Sequence, residues 1–228
     1  MQIDIVSDVI CPWCFIGKRR LEKALALRPE LSVEITWRPF QLNPDMPPEG
    51  MERQTYLAAK FGGDAHAGRI YTNVADAGAT VDIPFAFDRI RRTPNTRDAH
   101  RLIRHAAAAG RADPLVEGLF RGYFIEGRDI GDRATLAAIA GEAGLDAEAT
   151  EAWLDSPADL DQVLAEDRGA RRLGINAVPC FIFERQYAVS GAQEPEFFLP
   201  VFDLVQSGGE PRPDGAAQRS SAQRPSGS

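Results

Sequence analysis

Cys11 and Cys14, two of the chain's three cysteines, stand with only Pro12 and Trp13 between them. That spacing serves two chemistries: dithiol redox exchange, or half of a tetrahedral zinc site. Redox exchange needs a first sulfur held as a thiolate and a second close enough to resolve a mixed disulfide. A helix N-terminus meets the first need, because its unpaired N–H groups and positive dipole end favour an anion. A thiol of ordinary pKa about 8.5 can fall to roughly 3.5–7.5 in such a place. Cys11 is then the nucleophile and Cys14, one turn on, the resolving thiol. Pro12 stiffens the turn, and Trp13 offers a flat apolar surface to an incoming peptide. Neither sets the direction of electron flow, since such couples range from about −270 to −120 mV.

Zinc usually takes four ligands. The remaining strong donors are Cys180, His66, His100 and His105. His100 and His105 would point about 140° apart on a helix, and none of the four makes a second close pair. No metal is therefore expected.

The elements that must position the pair are legible on either side of it. "IDIVSDV" reads as a strand. In "FIGKRRLEKALALR", Leu21 and Leu25 lie four apart and Cys14 seven before Leu21, which puts Cys14 on the buried side of a helix. Pro12 fits the first turn. Gly17 lies inside this helix at a cost of about 1 kcal/mol, which close packing against a neighbour would explain. Residues 32–40 alternate like a second strand. "NPDMPPEG" breaks the pattern, and a helical stretch follows from about 52 to 174. Within it Asp113 and Pro114 open one helix, Asp132 caps another that Gly144 closes, and Gly174 ends a third. "VPCFIFERQYAVSG" gives adjacent strands at about 179–183 and 187–190, and a last helix is kinked or delayed by Pro200. Residues 207–228 contain no Ile, Leu, Val or aromatic residue and are expected to be a disordered tail. The pattern implies one α/β domain from residues 1–44 and 160–206, interrupted by a helical domain at 45–159.

The chain has 228 residues, 44% hydrophobic and 26% charged, enough for one core carrying an insertion. A net charge of −7 argues against broad nucleic-acid binding. No run approaches 18 apolar residues, so no membrane span is expected. The first residues carry no basic stretch followed by an apolar one, which points to the cytoplasm. Thiols there are mostly reduced, and three cysteines do not make a disulfide scaffold. Monomer and homodimer both remain open.

With the cysteine pair after a strand and "GINAVPCFIF" far downstream, the sequence resembles the DsbA-like branch of the thioredoxin superfamily, and within it the FrnE-like oxidoreductases. "SDVICPWCFIGKRRLEKAL", "ITWRPFQLNP", "TPNTRDAHRLIRHA" and "VSGAQEPEFF" carry the resemblance in order along the chain. It implies a thioredoxin fold with an inserted all-helical domain and a cis peptide between Val178 and Pro179. It also implies that the backbone of Val178 pairs with an extended substrate, in the manner of strand addition. Asn95 and His100 would sit on the helical domain facing the active-site cleft. Each has a plainer reading, Asn95 as a helix cap and His100 as an ordinary packed or surface histidine. Cys180 is unusual after that proline; it is expected to act as a small buried hydrophobe, the alternative being a third exchangeable thiol. Asp4 and Asp8 are candidates for an acid beneath the pair, with Asp8 expected to be solvated in its loop. Lys18, Arg19 and Arg20 read as a solvated basic face.

The function implied is thiol–disulfide exchange on protein thiols and disulfides. No cofactor is bound, and an external redox partner is required. A second reading is a glutathione-dependent isomerase or transferase, related to 2-hydroxychromene-2-carboxylate isomerases and kappa-class transferases. Those typically carry serine at the position of Cys11. Glutathione is a possible co-substrate in either case. A third reading is a redox-regulated, chaperone-like binding module.

Overall fold

The computed structural model describes residues 1–62 and 64–208, so the expected tail lies outside the described residues from 209 on. The chain begins with β1 (Gln2–Ser7), α1 (Pro12–Ala26) and β2 (Glu34–Pro39). β1 and β2 are parallel, from Gln2 opposite Glu34 to Ser7 opposite Pro39. Parallel neighbours need a crossover, and α1 supplies it. The chain returns to this sheet only with β5 (Cys180–Phe183) and β6 (Tyr187–Ser190). β5 runs antiparallel to β1, Val6 opposite Cys180, and β6 antiparallel to β5, giving the order β2-β1-β5-β6. A 3-10 turn at Pro195–Phe197 then leads into α9 (Leu199–Gln206), whose first turn holds Pro200. Pro200 thus delays the last helix as its missing N–H requires.

Between β2 and β5 lie β3 (Met51–Glu52), α2 (Arg53–Phe61), α3 (Asp64–Ala79), β4 (Arg92–Thr93), α4 (Arg97–Ala108), α5 (Ala112–Arg121), α6 (Arg133–Glu142), α7 (Ala147–Leu154) and α8 (Leu160–Arg172). The inserted region is therefore not wholly helical. β3 and β4 form an antiparallel ladder, Met51 opposite Thr93 and Glu52 opposite Arg92. Two residues are too few to print an alternating pattern. The capping signals act where the sequence puts them. Asp132 accepts from Thr135 N at 2.9 Å, and Gly144 and Gly174 take positive φ after α6 and α8. α5 runs on through a π turn at Gly122–Glu126.

Two cores flank the sheet. One joins Ile3 and Ile5 of β1, Leu21 and Ala24 of α1, Phe181 and Phe183 of β5, and Phe198 and Phe202 at the C-terminal end. The other joins Val6, Cys11, Cys14, Phe15 and Phe40 to the inserted helices through Ala99, Leu102, Leu119 and Phe120. Phe15 stacks on Phe120 with ring centroids 5.0 Å apart. α1 is thus held between its own sheet and the insert.

Candidate active site

Cys11 is the N-cap of α1, with extended backbone and no hydrogen bond from its side chain to the helix; Pro12 follows in the first turn. The Asp8 carbonyl accepts from Cys11 N at 3.0 Å, and the Cys11 carbonyl accepts from Cys14 N at 3.0 Å. These bonds close the turn and put both thiols at the same helix end. Cys11 is 5% exposed and Cys14 1%, while Trp13 between them is 38% exposed. All three cysteines are free thiols.

The two sulfurs sit differently. Burial pushes the Cys14 thiol well above its ordinary value, and the neighbouring Cys11 raises it further; Ser7 Oγ and the Asp8 N–H face Cys14 and act the other way. Ser7 Oγ faces Cys14 without a hydrogen bond of normal geometry. The Cys11 Sγ points at the carbonyl of Val178, 3.6 Å away. The Val178–Pro179 peptide is cis. Pro179 lies against α1 at Gly17: a Cβ there would meet Pro179 Cγ at 2.8 Å and Phe181 Cζ at 3.0 Å. Close approach of this loop accounts for the glycine inside the helix. Cys180 follows Pro179 in the sheet, and burial raises its thiol as well.

Two expectations are corrected. Asp8 is not solvated but fully buried. Its Oδ2 accepts from Leu42 N at 2.7 Å, and its Oδ1 lies 3.4 Å from His100 Nε2. His100, on α4, is packed, as one of its plainer readings had it, and it faces the loop before Cys11. Lys18, Arg19 and Arg20 are not a solvated face: Lys18 and Arg20 are buried and Arg19 mostly so. Lys18 pairs with Glu22, with Asp113 at 3.5 Å and with Glu117 at 3.3 Å; Arg19 pairs with Glu22 and Glu117. Burial opposes the charge on Lys18, yet these carboxylates outweigh it and raise the ammonium's pKa. The cluster bolts α1 to α5. Sequence could not show this, because the acids on α5 lie far along the chain.

Asp4 takes a different path from Asp8: its Oδ1 accepts from Arg38 Nε at 2.7 Å. Asn95 sits just before α4, donating to the Met46 carbonyl at 2.6 Å and accepting from Arg97 N at 3.0 Å. Both ends of its amide are engaged within the insert. Val178 and Pro179 come to Cys11; Asn95 is tied to the loop before α2 instead. Two residues were not singled out by sequence: Ser7, which faces Cys14, and Leu42, which binds Asp8. The only signal for Ser7 was its place just before Asp8 in "SDVIC". Among the described residues no three His, Cys, Asp or Glu side chains cluster as a metal site. His105 stacks on Trp153 with centroids 4.3 Å apart; the side chain of His66 lies outside the described residues.

A four-stranded sheet, a helix bearing a Cys-x-x-Cys turn at its N-terminus, a cis-proline loop against that turn and an inserted helical region define a thioredoxin-fold protein of the interrupted type. A family model described as "DSBA-like thioredoxin domain" matches residues 2–202, and the chain belongs to that family. It is an oxidoreductase of the DsbA-like class. The crystal structure of a probable DsbA oxidoreductase from Streptomyces coelicolor is 38% identical, with a TM-score of 0.82, covering 92% of this chain and 91% of that one. Two others share the fold at lower identity. The cytosolic disulfide reductase DsbM from Pseudomonas aeruginosa with GSH is 19% identical, with a TM-score of 0.64, covering 91% of this chain and 100% of that one. A 2-hydroxychromene-2-carboxylate isomerase is 16% identical, with a TM-score of 0.63, covering 91% and 95%. No helix among the described residues is long and apolar enough to cross a membrane.

Proposed function

We propose that this chain exchanges disulfides with protein substrates through the Cys11–Cys14 dithiol, in the cytoplasm. The observation that carries the reading is the placement of Cys11 at the N-terminus of α1, with Cys14 one turn behind it and sealed. Cys11 as thiolate attacks one sulfur of a substrate disulfide, and the other substrate sulfur leaves as thiolate. Cys14 then attacks Cys11 Sγ. The Cys11–Cys14 bond forms, the mixed disulfide breaks, and the substrate departs with both electrons. Exposed Trp13 and the backbone at Val178 and Pro179 flank the reacting sulfur, which supports an extended peptide as substrate. A second thiol or redox protein must restore the dithiol, and glutathione is a candidate, supported by the GSH-bound DsbM neighbour. Reduction, formation and isomerisation of disulfides all use these steps, and the redox partner sets which one runs.

The test is insulin disulfide reduction by wild type, Cys11→Ser and Cys14→Ser, beside glutathione conjugation with an aromatic substrate. The expected result is loss of reduction in both variants and a trapped mixed disulfide on Cys11 in Cys14→Ser. Turnover of the aromatic substrate without any disulfide reduction would replace this reading with the glutathione-dependent isomerase.

A further inference from the structure

One buried cation on α1 has no part in the chemistry so far. Arg20 is buried and lies three residues after Gly17, on the same face of the helix. That face is covered by the loop joining β6 to the 3-10 turn before α9: a Cβ at Gly17 would meet Ala192 Cβ at 3.5 Å as well as Pro179. The Arg20 guanidinium grips this loop at two points. One nitrogen donates to the Ala192 carbonyl at 2.5 Å, and another meets the Glu194 carboxylate at 2.5 Å. The same loop holds the wall of the site. Gly191 N donates to the Pro179 carbonyl at 2.8 Å, from a positive φ of 80° that suits glycine. Gln193 folds the loop back on itself, its Nε2 donating to the Ser190 carbonyl at 2.8 Å and its backbone N to the Gly191 carbonyl at 3.0 Å. Pro179 in turn lies on Gly17, and the Val178 carbonyl beside it faces Cys11 Sγ. Contacts therefore run without a break from Arg20, through residues 191–194, to the backbone that flanks the reacting sulfur.

Stability alone is a poor account of this arginine. Its Nε is buried without a partner, and the Glu194 side chain that meets it is 55% exposed. A buried charge so incompletely met carries a desolvation cost that an apolar side chain would not. What a guanidinium supplies, and an apolar residue cannot, is a planar fork of fixed direction. The fork sets where two points of the loop lie relative to α1. We infer that Arg20 is a positioning residue for substrate capture: it holds the Gly191–Glu194 loop so that Pro179 stays against α1 and the Val178 backbone stays in reach of a peptide at Cys11. The inference rests on the dithiol reading. It concerns docking alone, because Arg20 touches neither sulfur and its charge is met by Glu194. A substrate with a backbone to lay along Val178 and Pro179 feels the loop. A small disulfide without one does not.

The test compares two disulfides in a parent protein carrying Cys14→Ser and Cys180→Ala, whose one remaining thiol is Cys11. One is a disulfide-bonded peptide and the other is 2-hydroxyethyl disulfide, which offers the same bond and no backbone. Each forms a mixed disulfide that stays on Cys11, and its second-order rate constant is read by mass spectrometry. With Arg20→Met added, the peptide rate should fall roughly tenfold, the worth of one charge-assisted hydrogen bond. The 2-hydroxyethyl disulfide rate should stay within about twofold, since the helix N-terminus that favours the Cys11 thiolate is untouched. Glu194→Gln, at an exposed position, should shift the same ratio in the same direction by less, and it serves if Arg20→Met fails to fold by circular dichroism. A peptide-to-small-disulfide ratio equal to the parent's in the folded variants overturns the inference, whether both rates hold or both fall together. A merely structural arginine would change the melting temperature and leave that ratio where it was. A parent that forms a mixed disulfide with neither compound would instead remove the dithiol reading, and the inference with it.

Discussion

The two faces of the sheet are built from different chemistry. Beneath α1 and α9 the packing is apolar throughout: Ile3, Ile5, Leu21, Phe181, Phe183, Phe198 and Phe202, with Phe181 edge-on to Phe198 at 5.1 Å. Toward the insert the apolar core is interrupted by buried Ser7, Asp8, Gln41, Asn95, His100 and Asp167. Several of these are bonded: Asp167 accepts from Gln41 N at 2.8 Å, and Asp8 from Leu42 N. Others are not. A dry face contributes burial alone, whereas a face that keeps polar groups from water accepts a cost in stability, of about 1–3 kcal/mol for each unsatisfied group. The thiols belong to the insert-side core, at the end of α1, which among the described residues lends buried residues to both cores.

The contrast breaks most visibly on the dry side. Phe198→Ala should remove about 3–5 kcal/mol, measured by urea unfolding, while the reactivity of the thiols in the remaining folded protein stays that of wild type. A loss under about 1 kcal/mol would mean this core is not what carries the sheet. At the junction, Gly17→Ala gains about 1 kcal/mol of helix propensity but presses on the Pro179 and Phe181 rings, at about 1–3 kcal/mol. A net loss of about 1 kcal/mol is expected, together with slower mixed-disulfide formation as Pro179 is pushed from the turn. Unaltered kinetics in a folded Gly17→Ala protein would separate the Pro179 loop from the chemistry. The smallest effect belongs to the ionic bolt on the insert side. Burial works against the Glu22 carboxylate, but Lys18 and Arg19 overcome it and lower its pKa. Its contribution is therefore present above the ordinary carboxylate value, about 4.3, and is lost as pH falls through the lowered one. Glu22 is part-exposed, so Glu22→Gln should cost no more than about 1 kcal/mol at pH 7, and the gap should close on acidification. A gap that persists at pH 2 would assign Glu22 a packing role instead.

The thiol turn was readable because everything it needs is local: Pro12 in the first turn, Cys14 in phase with Leu21, and a strand immediately before. Gly17 also announced itself, as a residue too costly for a helix interior unless something came close. What sequence did not reveal was the state of polar residues whose partners lie far along the chain. Asp8 looked like a loop carboxylate because nothing near it explains burial; its partners are Leu42 and His100. Lys18 looked solvated because Glu117 and Asp113 arrive from another helix. Asn95 is not the cap of α4, which is Thr96; it lies one residue before it, accepts from Arg97 N, and its bond to the Met46 carbonyl had no local signal. The β3–β4 ladder was missed for a different reason, being shorter than any periodicity.

The order of strands also bears on how the protein is made. The partner of β1 on one side, β2, precedes the insert, whereas its other edge must wait for Cys180–Phe183. At synthesis rates of about 5–20 residues per second, the insert at 45–159 takes roughly 6 to 23 seconds to emerge. Throughout that interval the nascent chain presents Cys11 and Cys14 without the Val178–Pro179 wall. Until β5 arrives, the thiols that will later choose among substrates are themselves unguarded cysteines, open to whatever oxidant or client is nearby.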